Sequence, residues 1–170
     1  MNIVLARTFT AGLLLALAAG PSASAADPST AGALRVPANR IVGVWHVQGL
    51  AGPCANPAVR FPINGMLVFN AGGTLTMVGL DNPAASGPGL GTWSYDPRTG
   101  RYTKQFRFAW FNSGVYIGYQ KVGPIEFVLS ADGATAANPV RSERWVYDPN
   151  TGTHSKAFDV CGEEVAVRLY

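Results

Sequence analysis

This chain of 170 residues contains only two cysteines and two histidines and has a small net charge. The histidine count and the net charge each argue against a class of protein. The two histidines, His46 and His154, are too few and too far apart in sequence to indicate a metal site. A formal net charge of +3 is too small to indicate a nucleic-acid-binding or membrane-surface protein. No Gly-x-Ser-x-Gly, phosphate-loop or dinucleotide-binding motif is present. The sequence therefore predicts no catalytic residue, no metal site and no cofactor.

Long apolar runs are also missing, apart from residues 9–19 near the N-terminus. This run is far short of the roughly 20 residues that a membrane-spanning helix needs. Arg7 precedes it, and Ala23 and Ala25 follow it with the small side chains of an A-x-A cleavage site. We expect residues 1–25 to be an export signal, with a membrane anchor as the alternative, and residues 26–39 to be a flexible leader. The remainder is expected to have no membrane span and to be periplasmic or secreted.

The two cysteines, Cys54 and Cys161, allow only one intramolecular disulfide. Export would place them in a compartment where disulfides persist, so we expect this bond to form. Closing so long a loop stabilises a fold by roughly 4–5 kcal/mol in the chain-entropy description. Two free buried thiols are the alternative.

Helical periodicity of useful length is absent, and short β-branched or aromatic segments ended by turn residues recur instead. The predicted strands are residues 41–48, 65–69, 74–79, 91–95, 101–111, 115–122, 125–129, 142–147, 153–160 and 165–170. Short links between so many strands are typical of an antiparallel meander. We therefore predict that residues 40–170 form one all-β domain, an antiparallel up-and-down barrel.

One internal repeat occurs, because the Trp-x-Tyr-Asp-Pro-x-Thr-Gly pattern of residues 93–100 returns at residues 145–152. Asp accepts hydrogen bonds from the backbone two residues ahead, Pro fixes φ, and Gly supplies a positive φ at the exit. The same hairpin used twice explains the repeat, and a duplicated binding element is the alternative.

Strand alternation predicts which side chains point into the barrel. On residues 101–111 one face carries Tyr102, Lys104, Phe106, Phe108 and Trp110, and large rings in a row suit the wall of a wide barrel. The other expected inward sets are Val115, Ile117 and Tyr119, then Ile125, Phe127 and Leu129, and finally Val165, Val167 and Leu169. We predict a ligand-binding interior made of Trp93, Lys104, Phe106, Phe108, Trp110 and Trp145, with Lys104 at the mouth and the loop of residues 81–90 as a mobile rim. A solid core is the alternative.

The order of several short motifs resembles a group of uncharacterised exported bacterial proteins described as lipocalin-like or calycin-like. The residues that carry the resemblance are Gly43 and Trp45, the run 66–75, Gly91 to Trp93, Phe106 to Phe108, Phe111 and Asn112, residues 118–121, residues 129–133, Cys161, Arg168 and Leu169. The resemblance implies a small calycin-like barrel in which Arg168 lies beside Trp45. It implies no established activity.

These observations favour an exported protein that binds a small apolar ligand. A cofactor-free cyclase or isomerase, resembling allene oxide cyclase, is the second hypothesis and requires an inward carboxylate such as Glu126 or Glu143. A solid-core interaction domain is the third. The cationic residues Arg98, Arg101, Lys104 and Arg107 alternate between two faces, so no nucleic-acid partner is expected. Nothing in the sequence indicates an oligomeric state.

Overall fold

A computed structural model of the protein describes residues 36–170. They form a short 3-10 turn at Pro37–Asn39 and eight antiparallel strands. In chain order the strands are β1 Gly43–Pro53, β2 Phe61–Phe69, β3 Thr74–Gly79, β4 Gly89–Asp96, β5 Arg101–Asn112, β6 Val115–Phe127, β7 Thr135–Asp148 and β8 Thr153–Arg168. Each strand pairs with the next, and β8 pairs back with β1, so the sheet closes on itself. The predicted all-β, closed up-and-down barrel is confirmed.

Two strands are longer and more continuous than the sequence predicts. In β6, Gly123 and Pro124 do not end the strand, because the register with β5 shifts between Lys104 and Phe106 at this point. A β-bulge of this kind accommodates residues that a regular ladder excludes. In β8, residues 161–164 pair with β1 on one side and β7 on the other, and so join two segments predicted to be separate.

One end of the barrel is filled with aromatic side chains. Trp45, Phe69, Trp93, Tyr102 and Phe127 are all buried there and contact one another at centroid distances of 5.8–6.4 Å. The N-terminal turn caps this end, where the Tyr102 hydroxyl donates to the Pro37 carbonyl. Packed chain therefore begins a few residues before Arg40, the expected start of the domain. We call this the closed end; the expected export signal lies outside the described residues.

The predicted contact between Arg168 and Trp45 is present at the closed end. Trp45 is completely buried, and the Arg168 guanidinium carbon lies 4.4 Å from the centroid of its ring. The same guanidinium donates to the carbonyls of Val42, at 2.9 Å, and Gly133, at 3.1 Å. A cation–π contact of this kind is worth roughly 0.5–2 kcal/mol. Arg168 thus fastens the N-terminal segment and the β6–β7 turn to the core.

The inward faces of β8 and of the first half of β6 were predicted wrongly. Val165, Val167 and Leu169 are exposed on the outer wall, whereas Ala166 is buried. In the first half of β6 the buried residues are Gly118 and Gln120, and Tyr119 between them stacks outside on Trp145 with an interplanar angle of 11°. The apolar face is not the inner face here because the barrel interior holds polar groups that bond one another.

The disulfide between Cys54 and Cys161 is present, with the two Cα atoms 4.9 Å apart. This agrees with the prediction that the pair lies within bridging distance. Cys54 immediately follows β1, and Cys161 lies in β8 opposite Gly52. The bond therefore fastens the start of the β1–β2 loop to the neighbouring strand.

The repeated Asp-Pro-x-Thr-Gly turns lie at opposite ends of the barrel, since one joins β4 to β5 and the other joins β7 to β8. In each, the Asp carboxylate accepts from the backbone nitrogen two residues ahead, at 2.9 Å. Gly100 and Gly152 both have a φ of 69°. The repeat is one hairpin mechanism used twice, and its two copies do not form a common site.

Candidate ligand cavity

The end opposite the aromatic core is hollow. An open cavity of about 510 Å³ lies there between the strands and reaches the loop between β3 and β4. It is lined mainly by apolar side chains, among them Val47, Phe61, Ile63, Leu67, Met77, Phe106, Phe108, Trp110, Val122, Val140, Phe158 and Val160. A cavity of this volume exceeds the roughly 300 Å³ at the lower limit of typical ligand pockets.

Phe106, Phe108 and Trp110 form the aromatic wall of the cavity. They are alternate residues of β5, so the pleat turns all three inward. Their rings follow one another, with centroids 6.3 Å apart for Phe106 and Phe108 and 5.3 Å apart for Phe108 and Trp110. This confirms the predicted direction of the stripe. The β3–β4 loop forms part of the rim and is tied to β5, since Phe111 donates to the Ala85 carbonyl at 2.8 Å.

An ion pair separates the cavity from the aromatic core. Lys104, on β5, is 2 % exposed and donates to the Glu164 carboxylate on β8, whose side chain is 10 % exposed. Asn138 on β7 donates to the same carboxylate at 2.8 Å, and its own Oδ1 is buried without a hydrogen-bond partner. Glu164 lines the cavity floor. Buried charges persist only when they are paired and hydrogen-bonded, and this pair meets both conditions.

A chain of hydrogen bonds runs along the inner wall near the mouth. Trp110 Nε1 donates to Gln120 Oε1 at 3.3 Å, and Gln120 Nε2 donates to Ser142 Oγ at 2.7 Å. Because the indole nitrogen can only donate, the Gln120 oxygen must face Trp110 and the amide nitrogen must face Ser142. The chain therefore has a direction, and it ends at the Ser142 hydroxyl.

Arg144 lies two residues beyond Ser142 on β7 and lines the same cavity. Its guanidinium carbon is 4.8 Å from the centroid of the Trp110 ring. Its Nη1 is buried and has no hydrogen-bond partner within residues 36–170. Burial lowers the pKa of this guanidinium from its ordinary value, with Tyr116 acting in the opposite direction. An arginine nevertheless stays protonated in proteins, so the mouth of the cavity carries a positive charge.

No family model, curated protein or solved structure matches this chain. The resemblance to exported calycin-like proteins therefore stays a prediction.

Three of the predicted ligand-binding residues lie elsewhere than expected. Lys104 lies beneath the floor of the cavity and not at its mouth, because its ammonium group forms an ion pair with the buried Glu164 carboxylate. Trp93 is inside the barrel but belongs to the closed-end core, where its Nε1 donates to the Asn70 carbonyl at 2.9 Å. Trp145 is on the outer wall, where its Nε1 donates to Glu143 at 3.0 Å. Regular alternation along β7 turns Arg144 inward with Val140 and Ser142 and leaves Trp145 outside, paired with Tyr119 of β6.

Sequence reasoning missed the polar residues that β6, β7 and β8 turn into the cavity, which are Gln120, Ser142, Arg144 and Glu164; Asn64, Asp81, Asn82 and Ser86 complete its polar lining. The available signal on these three strands was their alternation with apolar and aromatic neighbours. Those neighbours were predicted to face the interior, whereas the polar residues are the ones that point inward. The carboxylates that were considered, Glu126 and Glu143, are both outside. Glu126 is exposed, and Glu143 binds Lys121 at 3.2 Å on the outer wall.

The histidines do not contribute to the cavity. His46 Nε2 lies 2.7 Å from Asn64 Oδ1, and His154 Nε2 lies 3.0 Å from the Tyr116 hydroxyl. Within residues 36–170, no three His, Cys, Asp or Glu side chains are grouped so that they could hold a metal ion. The same residues contain no helix that is both long enough and apolar enough to cross a membrane.

Proposed function

We propose that this protein is exported and binds a small apolar molecule in the open end of its barrel. The observation that carries the proposal is the cavity of about 510 Å³ with an apolar wall and a few inward polar groups. This combination of volume, apolar lining and sparse polar groups is what small-molecule sites share. Eight-stranded barrels are just wide enough to hold one such ligand.

Export to the periplasm or the medium is part of the proposal. It is supported by the pattern of residues 1–25 and by the disulfide between Cys54 and Cys161. Disulfides persist outside the reducing cytosol and are rare within it.

The cofactor-free cyclase or isomerase remains the second candidate, because one carboxylate does face the cavity. That carboxylate is Glu164, and it already accepts hydrogen bonds from Lys104 and Asn138. Its Oε1 accepts both of these bonds and belongs to the ion pair beneath the cavity floor, so this oxygen is not free to act on a bound molecule. The geometry therefore favours binding over proton-transfer chemistry. The third candidate, an interaction domain, was predicted to have a solid core, and the open end is not solid.

The proposal is tested by titrating the purified protein with N-phenyl-1-naphthylamine, a neutral apolar dye whose fluorescence rises in apolar surroundings. We expect saturable binding to one site per chain, and weaker binding in Phe108→Ala and Trp110→Ala. Removing a ring from an apolar contact costs about 1–3 kcal/mol, which corresponds to about a 5- to 150-fold loss of affinity.

The matched control is Trp145→Ala, because Trp145 is the same residue type on the outer wall of the same end. Its dye affinity should equal that of the unaltered protein. The proposal fails if the dye does not bind, or if Trp145→Ala weakens binding as much as Trp110→Ala.

A further inference from the structure

The mouth of the cavity offers hydrogen-bond donors without acceptors to receive them. Along the chain from Trp110 to Ser142, Gln120 Oε1 accepts from Trp110 and Ser142 Oγ accepts from Gln120. The Ser142 oxygen accepts from Gln120, and its hydroxyl hydrogen has no acceptor among residues 36–170. The buried Arg144 Nη1 is a second donor without a partner. Both side chains point inward because they are alternate residues of one strand.

The charge at this position is also uncompensated. The ionisable residues that line the cavity are Asp81, Arg144 and Glu164. Glu164 is neutralised by Lys104 at the floor, and Asp81 is exposed on the rim. Among the described residues Arg144 forms no ion pair, and the nearby Glu143 points outward to Lys121 and Lys156. Arg144 is half-buried, but its buried Nη1 has no acceptor, and a buried donor left without a partner is costly unless a ligand supplies one.

We infer that the ligand is an amphiphile with one anionic oxygen headgroup, which Arg144 and Ser142 bind at the mouth while its apolar tail contacts Phe106 and Phe108. This inference rests on the proposed function and specifies its ligand class. The planar guanidinium pairs with carboxylate or phosphate oxygens through parallel N–H donors. The Trp110 ring centroid lies 4.8 Å from the guanidinium carbon and supports it from one side. The apolar wall then leads away from the headgroup toward Met77 and Val140.

The experiment compares ligands of equal chain length by displacement of N-phenyl-1-naphthylamine: decanoate, decyl phosphate, decanol and decylamine. We expect both anions to bind about 10- to 100-fold more tightly than decanol, the range that one charge-assisted contact supplies. Decylamine should bind most weakly. Whichever anion binds more tightly identifies the headgroup as a carboxylate or a phosphate.

Arg144→Gln should abolish the preference for the anions, measured in the same protein as the ratio of each anion's affinity to that of decanol. Ser142→Ala should reduce it several-fold, and Arg144→Lys should retain part of it because the charge remains. The matched control is Arg107→Gln, which removes the same charge from the outer wall, where Arg107 lies 5.4 Å from the Tyr119 ring centroid. This control should keep the full preference.

The inference is overturned if the unaltered protein binds decanol or decylamine as tightly as decanoate and decyl phosphate. It is also overturned if the preference survives Arg144→Gln. In both cases binding of decanol or the dye would leave the proposed function standing. Failure of every ligand and of the dye to bind would overturn the proposed function together with the inference. The comparison on the unaltered protein decides the matter even if the Arg144 variants do not fold.

Discussion

At the scale of single residues, the barrel interior depends on one ion pair. Lys104 and Glu164 are both buried, and each neutralises the other between the aromatic core and the cavity. We expect Lys104→Met to lower the free energy of unfolding by about 3–5 kcal/mol, because Glu164 would remain as an unpaired buried charge. Denaturant unfolding followed by circular dichroism measures this loss.

The double variant Lys104→Met with Glu164→Leu provides the control for that experiment. Replacing both partners by apolar side chains removes the unpaired charge, so most of the lost stability should return. If the double variant is less stable than Lys104→Met alone, the ion pair does not have the role assigned to it.

Glu143 provides a pH-dependent prediction on the outer wall. Hydrogen bonds from Trp145 and Lys121 hold the pKa of its carboxyl below the usual value of 4.5. A carboxyl group with a lowered folded-state pKa contributes stability above its unfolded pKa and loses that contribution as pH falls through the folded value. Glu143→Gln should therefore be less stable than the unaltered protein at neutral pH, and the difference should shrink in acid. Unfolding titrations at neutral pH and near pH 3 test this, and a difference that grows in acid would contradict it.

At the scale of strands and turns, the turn residues predicted strand ends and hairpins more accurately than alternation predicted which side chains point inward. The turn residues placed β3 at its observed bounds and located both Asp-Pro-x-Thr-Gly hairpins. Alternation placed Phe106, Phe108 and Trp110 correctly, because an aromatic face on one strand of a closed barrel is shielded from water only when it points into the barrel. Alternation failed on β6 and β8, since the polar interior residues Gln120 and Glu164 are satisfied by partners on other strands, Ser142 of β7 and Lys104 of β5. Such partners cannot be identified before the register is known.

The two repeated hairpins predict equal responses to one substitution. Gly100 and Gly152 share a φ of 69°, and an added Cβ would meet no atom within 4 Å at either position. Only the left-handed backbone is then penalised, so Gly100→Ala and Gly152→Ala should each cost about 1–2 kcal/mol. Thermal unfolding measures both, and dye binding should be unchanged in both. A loss of binding confined to one variant would contradict the purely mechanical account of the repeat.

At the scale of the whole molecule, the two ends of the barrel differ in how their interiors are filled. The closed end contains the rings of Trp45, Phe69 and Trp93 and the Arg168 contact, and it supplies the packed core. The open end contains the cavity instead of a packed core. The disulfide between Cys54 and Cys161 fastens one side of the cavity rim. Burial of a well-packed aromatic core is a large stabilising contribution, which allows the other end to remain hollow. The packed core and the proposed binding site therefore consist of separate residues.

The four tryptophans sample these regions separately, and they allow the central claim to be tested in one spectrum. Trp45 and Trp93 are in the closed-end core, Trp145 is on the outer wall, and Trp110 lines the cavity. The measurement is a proton–nitrogen NMR titration of the indole N–H signals with decanol, with each signal assigned by Trp→Phe substitution. We predict a large, saturable shift of the Trp110 signal and little change in the other three. Shifts dominated by Trp145, or equal shifts in all four, would contradict a ligand site inside the open end of the barrel.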